Sequence, residues 1–478
     1  QVSTLASDLQ GYINSDAPRL GQKIHSRIIK SGFRSNLNIS IKLLILHLKS
    51  SCLSYARQVF DELPARTLSA YNYMISGCLK NGEIMKSLDL AREMTISGEK
   101  PDNYTYSMIL KASTSSGLSS LHIGREVHGQ ILKHGIENDD VLYTALVDAY
   151  VKHGNLNCAR RVFDLMLPQN VISSTSMIAG YMNQGCINEA EDVFAMTPDK
   201  DVVVYNAMIE GYSRSVETAE MAVEVCIDMQ RRGYRPTLST YASVTGACSL
   251  LSSFDIGRQL QGQLMKTGFF GDVKMGSALI DMYSKCGRTD DARRIFDGMP
   301  CRNVFSWTSL IDGYGKNGIP EESLRLFETM LKESDTAPND VTFLGAISAC
   351  AHAGLVSRGQ EIFDSMERDH GVKPKMEHYA CMIDLFGRAG CLERALEFVA
   401  NMPEVPNADV WSALLGSCKL HGDFELARVA AEELLMRGGE KRSGPYVTMS
   451  NAFAEVGRWD CVSELREVMK ARGVARGG

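Results

Sequence analysis

The sequence predicts an all-α solenoid of stacked helical hairpins, on three observations. The phrase Ala145-Leu146-Val147-Asp148-Ala149-Tyr150-Val151-Lys152-His153-Gly154 returns as Ala278-Leu279-Ile280-Asp281-Met282-Tyr283-Ser284-Lys285-Cys286-Gly287. A second phrase follows at the same offset, Ala159-Arg160-Arg161-Val162-Phe163-Asp164 and Ala292-Arg293-Arg294-Ile295-Phe296-Asp297, and again as Ala56-Arg57-Gln58-Val59-Phe60-Asp61. The period is 31 to 37 residues with two apolar-periodic segments in each. A unit of that size is a helix-turn-helix that buries its apolar face only by stacking on its neighbours.

Aligned on these phrases, twelve units fill residues 2–407, starting at Val2, Leu37, Leu68, Asn103, Asp140, Val171, Val202, Leu238, Val273, Val304, Asp340 and Met376. Short units of 31 to 32 residues end in phrases such as Met299 to Asn303, and long ones of 35 to 36 end as Gly98 to Asp102 does. A third kind, of 35 to 37 residues, opens its second helix with Gly and reaches a large residue one turn later: Gly21 to His25, Gly124 to His128, Gly257 to Gln261, Gly359 to Phe363. Each first helix is expected to run about twelve residues and stop near a Gly in the left-handed region, at Gly154, Gly185, Gly287 and Gly318. Pro101, Pro236, Pro300 and Pro338 mark the exits from second helices. Beyond the array, two hairpins of different sequence occupy 408–444 and 445–478.

Composition is that of a folded soluble chain, with 44% hydrophobic and 23% charged residues and no apolar run near the ~18 residues of a membrane span. No membrane partner is therefore expected. The 13 cysteines are odd in number and recur at equivalent helix positions (Cys78, Cys226, Cys248, Cys350, Cys418), which points to buried free thiols rather than a disulfide framework. A net charge of -6 argues mildly against non-specific nucleic-acid binding, although charge placement overrides net charge. The sequence starts at Gln1 with no Met and no Arg- and Ser-rich leader, so any targeting segment is expected to be either absent or already removed, and localisation is not directly legible.

Function must be read from what recurs on the exposed face. The fifth residues of the units are Ala6, Ile41, Asn72, Ser107, Thr144, Thr175, Asn206, Ala242, Ser277, Thr308, Leu344 and Ala380, seven of twelve being Asn, Ser or Thr. The last residues are Asn36, Thr67, Asp102, Asp139, Asn170, Asp201, Thr237, Asp272, Asn303, Asn339, Lys375 and Asn407, eleven of twelve being Asn, Asp or Thr. Helix capping accounts for the last position. It does not account for the fifth, which lies inside the helix where such residues compete for backbone hydrogen bonds. The paired polarity suggests a row of pincers able to read base edges.

A third row is basic: the thirteenth residue is Lys49, Lys80, Lys152, Arg214, Lys285, Lys316 or Arg388 in every short and long unit except the one with Asn183. Eleven positions separate it from the second residue, a rotation of only about 20°. The second residues Tyr104, Val141, Ile172, Val203, Phe305 and Val341 could flank a base while the cations meet phosphates. The alternative is a set of solvated cations favoured by the helix dipole.

These phrases resemble the plant pentatricopeptide repeat family, in particular the subclass built from long, short and ordinary repeats in triplets and ending in two extension motifs. Trp411-Ser412-Ala413-Leu414-Leu415 and Gly457-Arg458-Trp459-Asp460 are similar to those extension motifs, E1-like in 408–444 and E2-like in 445–478. The resemblance implies a right-handed superhelical solenoid that binds single-stranded organellar RNA, one base per repeat. It further implies a site-recognition factor for C-to-U editing, in mitochondria or alternatively chloroplasts, that recruits a deaminase-bearing or accessory editing protein through 408–478. In the family the fifth and last residues together select a base. Carried over, Asn72 with Asp102 favours U, Thr144 with Asn170 favours A, Thr175 with Asp201 favours G, and Asn206 with Thr237 a pyrimidine. Ser277 with Asn303 and Thr308 with Asn339 each favour A. The pairs Ser107 with Asp139, Ala242 with Asp272 and Ala380 with Asn407 complete the implied base contacts, and the core target reads U-x-A-G-Y-x-A-A.

Cytidine deamination needs a zinc-bound water, signalled by His-x-Glu and Pro-Cys-x-x-Cys. None of the ten His precedes Glu at that spacing and no Cys pair has it, so no catalysis, metal or cofactor is expected of these residues. His378 and Cys381 lie three apart on one helix, as packing residues do. A peptide-capturing solenoid of the tetratricopeptide type is the rival class, since polar rows also suit peptide carbonyls, but its Trp/Leu-Gly/Tyr pattern is missing. A factor for RNA stability or splicing is a further alternative.

Overall fold

The computed structural model describes residues 2–14, 28, 36–115, 121–135, 139–166, 168–333, 335–437, 450, 462–463 and 467. Among them are 25 helices and no strand, an all-α helical-repeat solenoid. The chain divides into two compact units, one of residues 1–211 with 231–235 and one of residues 212–230 with 236–478. The boundary falls inside the repeat that begins at Val202.

Each unit is a stack of hairpins whose first helices start at the residues the repeat phrases mark. In one, Leu37–Lys49, Leu68–Lys80, Asn103–Ser115, Asp140–Lys152 and Val171–Asn183 are followed by second helices Leu53–Asp61, Ile84–Ile96, Leu121–His134, Leu156–Asp164 and Ile187–Met196. In the other, Leu238–Leu250, Val273–Lys285, Val304–Lys316, Asp340–Ala353 and Met376–Arg388 are followed by Phe254–Leu264, Thr289–Gly298, Pro320–Glu333, Val356–His370 and Leu392–Ala400. The hairpin Ala408–His421 with Phe424–Arg437 continues the second stack, while the E2-like segment, isolated positions apart, and the phrase Gly21 to His25 lie outside the described residues. The turn glycines take the conformation expected of them, with φ 74° at Gly154 and 72° at Gly287, a region closed to most L side chains.

Two devices set how closely repeats approach. The tenth residue of a first helix is often Gly, and it faces the twelfth residue of the preceding first helix. A Cβ on Gly180 would lie 2.7 Å from Val151 Cγ1, and one on Gly313 would overlap Ser284 Oγ and lie 2.6 Å from its Cβ. The second device is aromatic. In four repeats a Phe of the second helix meets the fourth residue of the next first helix edge to face: Phe60 with Tyr71 at 5.1 Å, Phe194 with Tyr205 at 5.3 Å, Phe296 with Trp307 at 4.8 Å and Phe327 with Phe343 at 5.3 Å. Such pairs add about 0.5–1.5 kcal/mol beyond their buried area. A cation from the linker lies over the same ring, with Arg66 5.1 Å from Phe60, Lys200 5.0 Å from Phe194 and Arg302 4.6 Å from Phe296.

The third-kind phrase is explained by the same packing. A Cβ on Gly257 would run into Met282, and one on Gly359 into Leu385, both tenth residues of the next first helix. One turn on, His128 Nδ1 lies 2.9 Å from Tyr150 Oη, and Tyr283 donates to Gln261. The phrase is thus a spacing device at Gly257 and Gly359, whereas a Cβ on Gly124 would meet nothing within 4 Å, and there the docking contact of His128 with Tyr150 stands alone. The twelve described cysteines are free, and burial pushes the thiols of Cys226 and Cys350 up to about 11 and those of Cys248 and Cys418 up to about 12.

Gly313→Ala is expected to lower the urea midpoint, at a cost of about 1–3 kcal/mol from overpacking. Gly246→Ala, on a helix with open space at its Cβ, is expected to raise it, with a gain in stability of about 0.5–1 kcal/mol. At neutral pH the exposed Cys301 should react first with a thiol reagent, and Cys248 and Cys418 only on unfolding, as mapped by mass spectrometry after limited labelling.

Candidate nucleic-acid interface

Before most first helices the backbone is extended and the side chain satisfies one of the helix's unpartnered N–H groups; Thr67 and Lys375 are extended but make no such bond. Asp139 Oδ1 accepts from Leu142 N at 2.8 Å, Asn170 Oδ1 from Ser173 N at 2.8 Å, Asn303 Oδ1 from Ser306 N at 2.9 Å and Asn339 Oδ1 from Thr342 N at 2.9 Å. Asp102, Asp201, Asp272 and Asn407 cap in the same way, and Thr237 accepts from Thr240 N at 3.3 Å. The cap fixes the side chain's orientation. With Oδ1 engaged, Asn presents Nδ2, a donor, and Asp presents Oδ2, an acceptor.

The capping side chain meets the fifth residue of the preceding first helix in several repeats, through the free second atom at Asn170 and Asp102 and through the capping Oδ1 at Asn303 and, by way of Thr342, at Asn339. Asn170 Nδ2 donates to Thr144 Oγ1 at 2.8 Å. Asn72 Nδ2 lies 3.2 Å from Asp102 Oδ1 and 3.4 Å from Oδ2, and Thr105 Oγ1 lies 2.7 Å from both Asn72 Oδ1 and Asp102 Oδ1. Ser277 Oγ lies 3.2 Å from Asn303 Oδ1. Thr308 is linked to Asn339 through Thr342, at 2.7 and 2.8 Å. Burial by itself would push the Asp102 carboxyl up, but the hydrogen bonds from Thr105 and Asn72 outweigh it and hold it below the usual range. It is an anionic acceptor at neutral pH.

Other predicted pairs are not joined directly. Ser107 Oγ and Thr175 Oγ1 donate to their own helices, at Asn103 O and Val171 O, so neither meets its partner Asp139 or Asp201 by that bond. Ala242 and Ala380 bring no polar side-chain atom to Asp272 or Asn407. Asn206 and Thr237 belong to different units. Lys375 turns away from this row to pair with Asp340.

The second-position side chains Tyr104, Val141, Ile172, Val203, Phe305 and Val341 are 50% to 69% exposed. Four of them belong to consecutive repeats, an exposed apolar row of the kind that marks a binding surface.

The basic row is not what its spacing alone suggested. Lys152 is paired with Asp148 at 2.7 Å, Lys285 with Asp281 at 2.9 Å, Lys316 with Asp312 at 2.8 Å and Arg388 with Asp384 at 2.7 Å. Each Asp is the ninth residue of its repeat, four before the cation, a spacing legible in the sequence. Lys49 Nζ instead donates to Ile13 O at 2.7 Å. Lys80 follows Ser76, and Arg214 follows Glu210, at the same interval.

His378 serves the backbone. Its Nδ1 accepts from Lys375 N at 3.1 Å and its Nε2 lies 2.8 Å from Asp340 O, so both ring nitrogens are engaged. Among the described residues no group of three or more His, Cys, Asp or Glu is placed to hold a metal ion, and no helix is long and apolar enough to cross a membrane.

Stacked hairpins with a capped polar row along their first helices define a helical-repeat recognition scaffold. The model of the PPR repeat family matches residues 66–114, 200–249 and 302–352, that of the single PPR repeat 141–167, 172–201, 277–304, 341–370 and 377–405, and that of the E motif 421–477. A mitochondrial pentatricopeptide repeat-containing protein of Arabidopsis thaliana is 62% identical over 475 residues, covering 99% of this chain and 91% of that relative. A second Arabidopsis pentatricopeptide repeat-containing protein is 40% identical over 463 residues, where the match covers 95% of this chain but only 66% of the longer relative. The crystal structure of a maize pentatricopeptide repeat protein superposes with a TM-score of 0.55 at 16% identity, over 98% of this chain and 78% of that one. The chain belongs to the pentatricopeptide repeat family.

Asn303→Ala should cost about 1 kcal/mol of stability through the lost cap, whereas Asn303→Asp should keep the cap and the stability. Thermal unfolding of the two variants side by side measures this difference.

Proposed function

We propose that this protein reads single-stranded RNA, one base per repeat, through the fifth and last residues. The observation that carries the reading is the capped side chain whose remaining polar atom is aimed at the fifth residue, as in Asn170 with Thr144. Asn170 Nδ2 has two hydrogens, and the bond to Thr144 uses one. The other suits the bare ring nitrogen on the Watson–Crick edge of A or C. An Asp in the same place offers an acceptor, which suits the ring N–H of U or G. This supports U or G at the pairs ending in Asp102 and Asp201 and A or C at those ending in Asn170, Asn303 and Asn339; the choice of U for Asn72 with Asp102, G for Thr175 with Asp201 and A for the others is the one the family resemblance implies. The exposed row from Tyr104 to Val203 offers surfaces between which bases can stack.

Within this reading the chain is a site-recognition factor for C-to-U editing, with the deaminase supplied by another chain that docks on 408–478. The E-motif match supports that role, and the mitochondrial relative supports a mitochondrial address over a chloroplast one. The deeper claim of recruitment is tested apart from RNA binding. A chain ending at Asn407 should keep oligonucleotide affinity and fail to restore editing in an extract lacking this protein.

The first test is a titration with U-x-A-G-Y-x-A-A and with a scrambled oligonucleotide at about 150 mM salt, where phosphate attraction is weakened. At least tenfold preference, about 1.4 kcal/mol, is expected. Asn170→Asp should move the preference at its base from A towards G. Equal binding to both oligonucleotides would overturn base readout and leave the peptide-binding solenoid as the better account.

A further inference from the structure

Four of the seven cations on the row that faces RNA in the proposed reading are already matched by a carboxylate. Lys152, Lys285, Lys316 and Arg388 each pair with the Asp one turn earlier at 2.7 to 2.9 Å. The Asp side chains are 32% to 38% exposed, so they stand at the surface and not in the core. Two of them are also held by a neighbouring repeat: Ser249 Oγ donates to Asp281 at 2.6 Å and Ser176 Oγ to Asp148 at 3.4 Å. The ninth residue lies about 40° from the fifth and from the thirteenth around the helix, so these carboxylates border the base-reading row.

Pairs this exposed contribute little to stability, and the arrangement works against phosphate attraction, since each carboxylate cancels the cation nearest the RNA backbone. We infer that Asp148, Asp281, Asp312 and Asp384 are specificity-determining residues that suppress sequence-independent binding. They make the base-reading pairs the main source of affinity. The inference rests on the proposed RNA reading and adds to it a restraint on where the affinity comes from. An unrelated RNA, with no hydrogen bonds to the pincers, meets a row in which four of the seven cations are already neutralised. The matched RNA holds its phosphates in register long enough for each cation to exchange its carboxylate for a phosphate oxygen. Non-specific affinity for single strands scales with the number of phosphates neutralised, about 0.7 in the slope of log K against log salt for each.

The test compares the full chain with a variant carrying Asp148→Asn, Asp281→Asn, Asp312→Asn and Asp384→Asn. A control carries Asp192→Asn, Glu361→Gln, Glu393→Gln and Glu425→Gln, exposed carboxylates of second helices with the same total charge change. Matched and scrambled oligonucleotides are titrated across salt, with circular dichroism confirming helix content. The inner-row variant is expected to bind scrambled RNA at least tenfold more tightly at about 50 mM salt. Its salt slope should steepen by up to about 3, and its matched-to-scrambled ratio should fall. An equal gain in the control would show that only net charge matters, and weaker binding to both RNAs would show that the carboxylates hold the cations in place for RNA. Either result overturns the inference. Failure of the base-reading proposal is seen separately, in the unmodified chain, as equal affinity for matched and scrambled RNA, and the effect on scrambled RNA is readable in that case too.

Discussion

Everything on the candidate interface follows from how closely one first helix lies against the next. Thr144 and Asn170 are 26 residues apart and meet at 2.8 Å, which requires adjacent first helices to pack nearly backbone to side chain. The small tenth residues make this possible. At Gly180 and Gly313 the space a Cβ would take is filled by Val151 and Ser284 of the preceding repeat. A hairpin of this length cannot bury its apolar face alone, so the same contact that orders the recognition row also stabilises each repeat.

The cap converts that proximity into chemistry. An uncapped Asn could present oxygen or nitrogen to a neighbour, and its preference for one base edge over another would blur. With Oδ1 held by the first-turn N–H, as at Asn170, Asn303 and Asn339, the exposed atom is determined by residue type alone. In the proposed reading, capping and base recognition are two uses of one side chain. Lys375, which has no such cap and pairs with Asp340, shows a repeat in which the device is absent.

The flanking surfaces have opposite characters. The second-position row exposes apolar side chains that the core could have used, from Tyr104 to Val203, whereas the thirteenth-position row hides much of its charge in local pairs. A surface of this kind gains more from stacking and hydrogen bonding than from bulk electrostatics, in keeping with a chain whose net charge is -6.

The sequence by itself determined the hairpin repeat, its three lengths, the start of every described first helix and the exposed second-position row, because repeated phrases and apolar periods are local properties of the chain. It also showed which residues cap, since an Asn or Asp before an apolar helix has one dominant use. The tertiary structure alone decided which polar pairs touch. Thr175 and Ser107 turn their hydroxyls back to their own helix carbonyls, and no spacing rule distinguishes them from Thr144. It decided as well that the third-kind Gly is a seat for Met282 or Leu385, a contact between residues far enough apart in sequence that only packing reveals it. The carboxylate beside each of four cations stood in plain view at an interval of four. Its meaning depended on the two side chains sharing a face turned away from the core, which the fold settles through the packing of one repeat on the next.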